Sequence, residues 1–317
     1  MQGLISIMVK KHIRMYENLR ACSYTPFYLA QIEGFFEQEE IQVSLVLSSS
    51  PSETAQGLIE GRADVSFGGP MRVMLHHNEA IKRNRTCPLI CFAQVVARDP
   101  FMLIGREPNN NFQFTDLLNS TIAVAIDVPT PWMTLQDDLS RAGIDPATIK
   151  KSPEASMREN SELFKKGQID VVQVFEPYAQ ELIEAGGHLW HRFSCRGDIA
   201  FTTFYSKKSF TTENRKTCQS LVRAMAKALK MVHTISSREL AEIVGPHFFP
   251  ELSPRTYASI IEGYKLSNLW PKTTTLLPSA FVKLKGALLS GGLIEHDIPY
   301  ENVIDEELSV PQYTRND

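Results

Sequence analysis

The stretch "GLIEGRADVSFGGP", Gly57–Pro70, decides how this chain is read. A helical run stops at Gly61, an aspartate follows three residues later, and a short apolar strand then ends on two glycines and a proline. Glycine closes helices and proline opens them, so the stretch reads helix, strand, turn, helix. A phosphate loop would continue with Lys and Ser/Thr, and a hydrolase elbow would set a Ser between the glycines; neither is present.

The same grammar returns in "LFKKGQIDVVQVFEP", Leu163–Pro177, again with a Gly stop, an Asp three residues on, an apolar strand and a break containing Pro. Upstream, "HIRMYENL" alternates, "RACSYTP" breaks it, "FYLAQIEGFFEQE" has helical spacing and "IQVSLVL" is extended, which makes a βαβ unit. A second series starts near Phe101: strand "FMLIG", short helix "TDLLN", strand "TIAVAI", turn "DVPTP" and helix "WMTLQDDLSRAG". After "IAFTTFYSKK" the chain is mainly helical. Alternating strands and helices predict parallel sheets covered by helices, with ligands bound beyond the carboxyl ends of the strands.

Composition bounds the function. At 317 residues, 43% hydrophobic and a formal charge of −3, the chain is an ordinary globular protein with no basic excess for nucleic acid. No apolar run reaches the roughly 18 residues of a membrane span. The start "MQGLISIMVKK" reverses the order of a signal peptide, so the chain reads as cytosolic or already trimmed. Five scattered cysteines argue against a disulfide framework. Cys87 and Cys91 lack the partners of a zinc site and read as buried or idle thiols, and His76 and His77 read as helix surface. No cofactor or metal is expected.

Thr25–Val46, Leu58–Pro70, Leu139–Lys150 and Leu163–Tyr178 together resemble the periplasmic substrate-binding proteins of the nitrate/taurine/alkanesulfonate type and their thiamine-pyrimidine precursor relatives. The resemblance covers most of residues 12–300. It implies an α/β, two-lobed type II periplasmic-binding-protein fold, each lobe a mainly parallel sheet flanked by helices, with the ligand cleft between. Residues 1–97 and 205–317 would form lobe I and residues 98–204 lobe II, with crossings near Ala97–Phe101 and Thr203–Ser206. The implied activity is capture of a small-molecule ligand for the membrane subunits of an ABC transporter, by a monomer, in the periplasm. The alternative is a cytosolic enzyme of the same fold, related to thiamine-pyrimidine synthesis or desulfination. The neighbouring cysteines of the synthases are absent, and Cys22, placed like a desulfinase nucleophile, has no His in the adjacent turns.

Strand-end turns supply the candidate site. In the first lobe these are Tyr24 and Thr25, then Gly68, Gly69, Pro70 and Arg72. Bare glycines let the backbone approach a ligand, and the helix opening at Pro70 aims unpaired N–H groups at it. In the second they are Asp127, Thr130, Trp132, Glu176 and Tyr178, with Thr202 on the return strand. Tyr24, Trp132, Phe175 and Tyr178 could sandwich a flat ring, while Asp127 and Glu176 could accept hydrogen bonds from its amino groups. The expected ligand is therefore a small aromatic or heterocyclic molecule and not a bare inorganic anion. Phe67, Phe175 and Phe201 also suit simple packing, and Glu176 also suits capping of the next helix.

Overall fold

A computed structural model of the chain describes residues 10–126 and 128–313. Nine strands form two sheets: β1 (Lys11–Glu17), β2 (Ile41–Leu47), β3 (Val65–Gly68), β4 (Leu89–Val96), β5 (Met102–Gly105), β6 (Ile122–Ala123), β7 (Val171–Val174), β8 (His188–Arg192) and β9 (Thr202–Lys207). The first sheet has the order β2-β1-β3-β9-β4 and the second β6-β7-β5-β8. In the first only β9 is reversed, and in the second only β5. Both sheets are thus mixed: all strands but one run in a common direction in each, as the βα grammar predicts, yet the reversed strand makes two of the four ladders in the first sheet and two of the three in the second antiparallel. β4 and β8 are two strands that the periodicity of the sequence did not separate from their surroundings.

The reversed strands are those entered from the other sheet. From β4 the chain passes through residues 97–101 into β5, and from β8 through 193–201 into β9. The two linkers run side by side, with Phe193 N–H donating to Phe101 O at 3.0 Å and Ile199 N–H to Ala97 O at 2.8 Å. Thr202, Thr203 and Phe204 already pair with β3 and β4, so the return to the first sheet precedes Thr202 and not Tyr205.

The repeated sequence pattern is also a repeated structure. Gly61 and Gly167 close their helices at φ +79° each, in the left-handed region that glycine favours. The aspartate three residues later then clasps a neighbouring segment. Asp64 Oδ2 accepts from Arg14 N–H at 2.8 Å, and Asp170 Oδ2 accepts from Thr121 N–H at 2.7 Å. In both, a buried strand follows, β3 or β7, and its carboxyl end turns into a helix.

Every residue of β3, β5 and β7 is buried, because helices cover both faces of each sheet. One apolar core runs through both sheets, and a second lies where the helices Pro70–Lys82 and Pro278–Ser290 pack beside the first sheet. His77 belongs to this packing. It is buried with Nε2 3.3 Å from Leu89 O, and burial lowers its pKa to about 4, so it is not helix surface; His76 is half-buried. Among the described residues no helix is long and apolar enough to cross a membrane.

Candidate functional site

The carboxyl ends of β1, β3 and β7 and the start of β9 meet at a narrow cavity of about 640 Å³ when its open mouth is included. Asn18 and Leu19 follow β1, Gly69 follows β3, Phe175 follows β7, and Thr202 and Tyr205 come from β9. Phe101 and Phe201 enter from the two linkers. Residues on both sides of the crossings therefore share one wall.

Three helices begin at this cavity: Thr25–Ile32, Pro70–Lys82 and Thr130–Arg141, whose first-turn or capping residues Tyr24, Gly69 and Thr130 line it. Each carries a proline in its first turn, which fixes φ without wasting an N–H. None has a side-chain cap, whereas Ser50, Ser156, Ser236 and Ser253 cap helices elsewhere. N-termini without side-chain caps bring the positive ends of three helix dipoles to one place, although Thr25 N–H already donates to Cys22 O in the turn before its helix.

Arg72 adds a formal charge. It lines the cavity half-buried, its hydrogen-bond contact is a long one to Ser52 Oγ at 3.4 Å, and no carboxylate among the described residues lies within ion-pair distance. Burial without a counterion pulls its pKa below the usual arginine value. None of the described lining residues is acidic. Thr202 Oγ1 is buried at the cavity beside the Tyr24 phenol, without a well-formed hydrogen bond. A buried hydroxyl without a well-formed hydrogen bond costs free energy that a bound acceptor would recover.

Local contacts fix the lining groups. Tyr24 packs edge-on to Phe67 at 5.0 Å and donates its hydroxyl to Asn18 Oδ1 at 3.0 Å. Burial pushes its pKa well up, so the phenol stays protonated. Ser23 O, in the same turn, accepts from buried Trp270 Nε1 at 2.8 Å.

Of the residues singled out from sequence, Tyr24, Gly69, Arg72, Thr130 and Thr202 line the cavity. Asp127 lies outside the described residues. Thr25 is buried behind the lining, its hydroxyl bonded to Cys22 O and Tyr257 Oη, both at 2.7 Å. Pro70 is buried in the helix start. The bare face of Gly68 meets Asn18 and Tyr205, with a Cβ there falling 3.2 Å from Asn18 Nδ2, so its missing side chain makes room for protein and not for ligand.

Trp132 is two residues beyond Thr130, about 200° around the helix, and so faces away; Lys151 Nζ lies 4.8 Å from its ring centre. Glu176 turns inward to accept Gln180 N–H at 2.9 Å, a buried cap of the following helix. Tyr178 lines a separate outer chamber. An aromatic sandwich by Trp132 and Tyr178 and recognition by Glu176 are therefore not built into the inner cavity. Phe67 is core, stacked on Phe27 at 3.9 Å.

Asn18, Phe101, Tyr205 and Leu284 were missed. For Asn18 a signal existed, since asparagine breaks strands and ends β1 here. Leu284 reaches the cavity from a distant helix, which no local pattern reveals. Cys22 is fully buried, and burial raises its pKa well above that of an ordinary thiol, the reverse of an activated nucleophile.

Residues 21–234 match the family described as NMT1/THI5 like. YtlA of Bacillus subtilis (strain 168), which carries a binding-protein name, is 24% identical over 300 residues, covering 94% of this chain and 88% of YtlA. The periplasmic aliphatic sulphonate binding protein SsuA from Escherichia coli superposes with a TM-score of 0.72 at 14% identity, over 94% of this chain and 99% of SsuA. The desulfurization enzyme DSZB superposes with a TM-score of 0.66 at 12% identity, over 94% of this chain and 97% of that one. The fold is that of the periplasmic binding proteins, and the chain belongs to the NMT1/THI5-like family.

Proposed function

We propose that this chain is a solute-binding protein that hands a small organic anion with an aromatic or otherwise apolar body to an ABC-type importer outside the cytoplasm. The observation that carries the reading is Arg72, a half-buried cation without a carboxylate partner, in a cavity without acidic lining among the described residues. Three helix N-termini without side-chain caps and the Thr202 hydroxyl beside Tyr24 offer polar groups to an acidic group, while Leu19, Val128, Phe175 and Phe201 offer apolar contact to the rest of the ligand.

The same reading has two lobes, residues up to about 97 with 202 onward, and residues 98 to about 201, closing over the ligand about the paired linkers. The strand order and the linker hydrogen bonds support it. The similarity to YtlA, named a binding protein, and to SsuA, a periplasmic aliphatic sulphonate binding protein, supports a binding role, and the burial of Cys22 counts against a thiol-dependent reaction.

A thermal-shift screen of arylsulfonates, aromatic carboxylates and aminopyrimidines tests it. An acidic aromatic at a hundredfold excess over Kd should stabilise the protein by about 2.7 kcal/mol and be recovered unchanged. Stabilisation by aminopyrimidines alone, or recovery of a converted product, would overturn the reading.

A further inference from the structure

Beyond the inner cavity the cleft opens into an outer chamber of about 960 Å³ including its mouth, and the two share Asn18, Leu19 and Phe175 as a neck. One side of the chamber is built from the loops after β1 and β2, the other from residues 156–158, Phe175 and Tyr178. Its walls are amphipathic. Leu47, 55% exposed, and the ring of Tyr178 present apolar surface, and no acidic residue is among the described lining.

The chamber holds two guanidinium groups in different states. Arg20 is tied by Nε and Nη2 to the two carboxylate oxygens of buried Glu17, both at 2.9 Å, so its charge is already matched. Arg158 has no carboxylate within ion-pair distance among the described residues; its charge lies 6.0 Å from the centre of the Tyr178 ring. Ser50 and Ser156 are committed to capping their own helices. Arg158, an exposed residue, is thus the one cation of the described outer lining that no carboxylate holds, whereas Arg72 is half-buried in the inner cavity.

We propose that the cleft takes an elongated ligand with an acidic group at each end: one held by Arg72 in the inner cavity, an apolar body threading the neck at Leu19 and Phe175, and the second group met by Arg158 beside Tyr178. The proposal rests on the anion-binding reading given above. It adds that the ligand outgrows the inner cavity, and it gives Tyr178, which the inner cavity does not use, a ligand-facing surface.

Calorimetry at low ionic strength with benzenesulfonate, biphenyl-4-sulfonate and biphenyl-4,4′-disulfonate separates the two readings. The disulfonate should bind up to about fivefold more tightly than biphenyl-4-sulfonate from one solvent-facing charge pair, beyond the twofold that its two equivalent ends give by statistics. R158Q should reduce that difference to the statistical twofold, and salt should shrink it. Y178A, as a second variant, should weaken both biphenyls and not benzenesulfonate. If benzenesulfonate binds and neither elongation nor the second sulfonate adds affinity beyond that statistical factor, the outer subsite is refuted while the anion reading stands. If R158Q leaves the preference for the disulfonate intact, Arg158 is not its partner and the proposal fails. If none of the three binds, the two-ended proposal falls, and the aromatic carboxylates of the thermal-shift screen decide the anion reading.

Discussion

Arg196 and Asp99 form an ion pair at 2.5 Å in which the carboxylate is fully buried and the guanidinium nearly so. Arg196 Nε also donates to Asp138 at 2.8 Å, and its carbonyl accepts from Lys283 Nζ at 2.8 Å. The side chain therefore ties the linker at residue 99 to the helix Thr130–Arg141, whose first turn lines the cavity. Burial raises the pKa of Asp99, which Arg196 opposes. Removing one partner strands a buried charge, so Arg196→Met should cost about 3 to 5 kcal/mol of stability. Denaturant unfolding measures this, and a loss below about 1 kcal/mol would show that the linker does not depend on the pair.

Arg72 should behave in the opposite sense. Arg72→Gln removes a desolvated cation without a carboxylate partner, so the unliganded protein should melt at the same temperature or higher. Affinity for an arylsulfonate should fall about ten to a hundredfold, the worth of a charge-assisted hydrogen bond. Paired melting and calorimetry on the variant decide it; affinity that survives the substitution would remove Arg72 from the site.

Glu176 titrates where few carboxylates do. Burial lifts its pKa to about 7, against the pull of the Gln180 N–H and Arg192. The folded state then holds this proton more tightly than the unfolded chain. Its contribution to stability is complete below the unfolded value of about 4.5, falls as pH rises, and is gone once pH passes about 7. Glu176→Gln retains an acceptor for Gln180 and cannot ionise, so its stability relative to wild type should rise between pH 5 and pH 8. A constant difference across that range would place the group in water.

Trp132 packs against the core with Lys151 over its ring. Trp132→Ala should therefore lower stability, by up to about 3 kcal/mol for a half-buried indole, and change affinity for an arylsulfonate by less than about twofold. A loss of affinity without loss of stability would return this ring to the cleft.

The alternation of strand and helix was legible because β1 shows its period-two pattern, with Ile13, Met15 and Glu17 turned inward, and because Gly61, Gly143 and Gly167 close helices. β4 and β8 were not, since "LICFAQVV" is apolar on both faces and "HLWHR" is mixed along its whole length. The site was legible in part for a geometric reason. Which turns reach the cleft follows from topology, so Gly69, Thr130 and Thr202 could be found. Which way a side chain leaves a helix's first turn depends on 100° per residue, so Thr130 reaches the cavity and Trp132 does not. Sequence alone does not separate a cleft carboxylate from a helix cap, and Glu176 is buried against the helix that follows it.

The position of β9 has a bearing on synthesis. β4 joins its sheet only through β9, which leaves the ribosome more than a hundred residues later, after the whole second sheet. Until then β4 is a long, apolar strand without a hydrogen-bonding neighbour, the kind of exposed edge that invites aggregation. The second sheet, contiguous between Met102 and Arg192, can form in the meantime and draw its two ends together, because the linkers that leave it run side by side. The inserted sheet thereby acts as a clamp on a loop that would otherwise close slowly, and the order of translation becomes part of how the fold is reached.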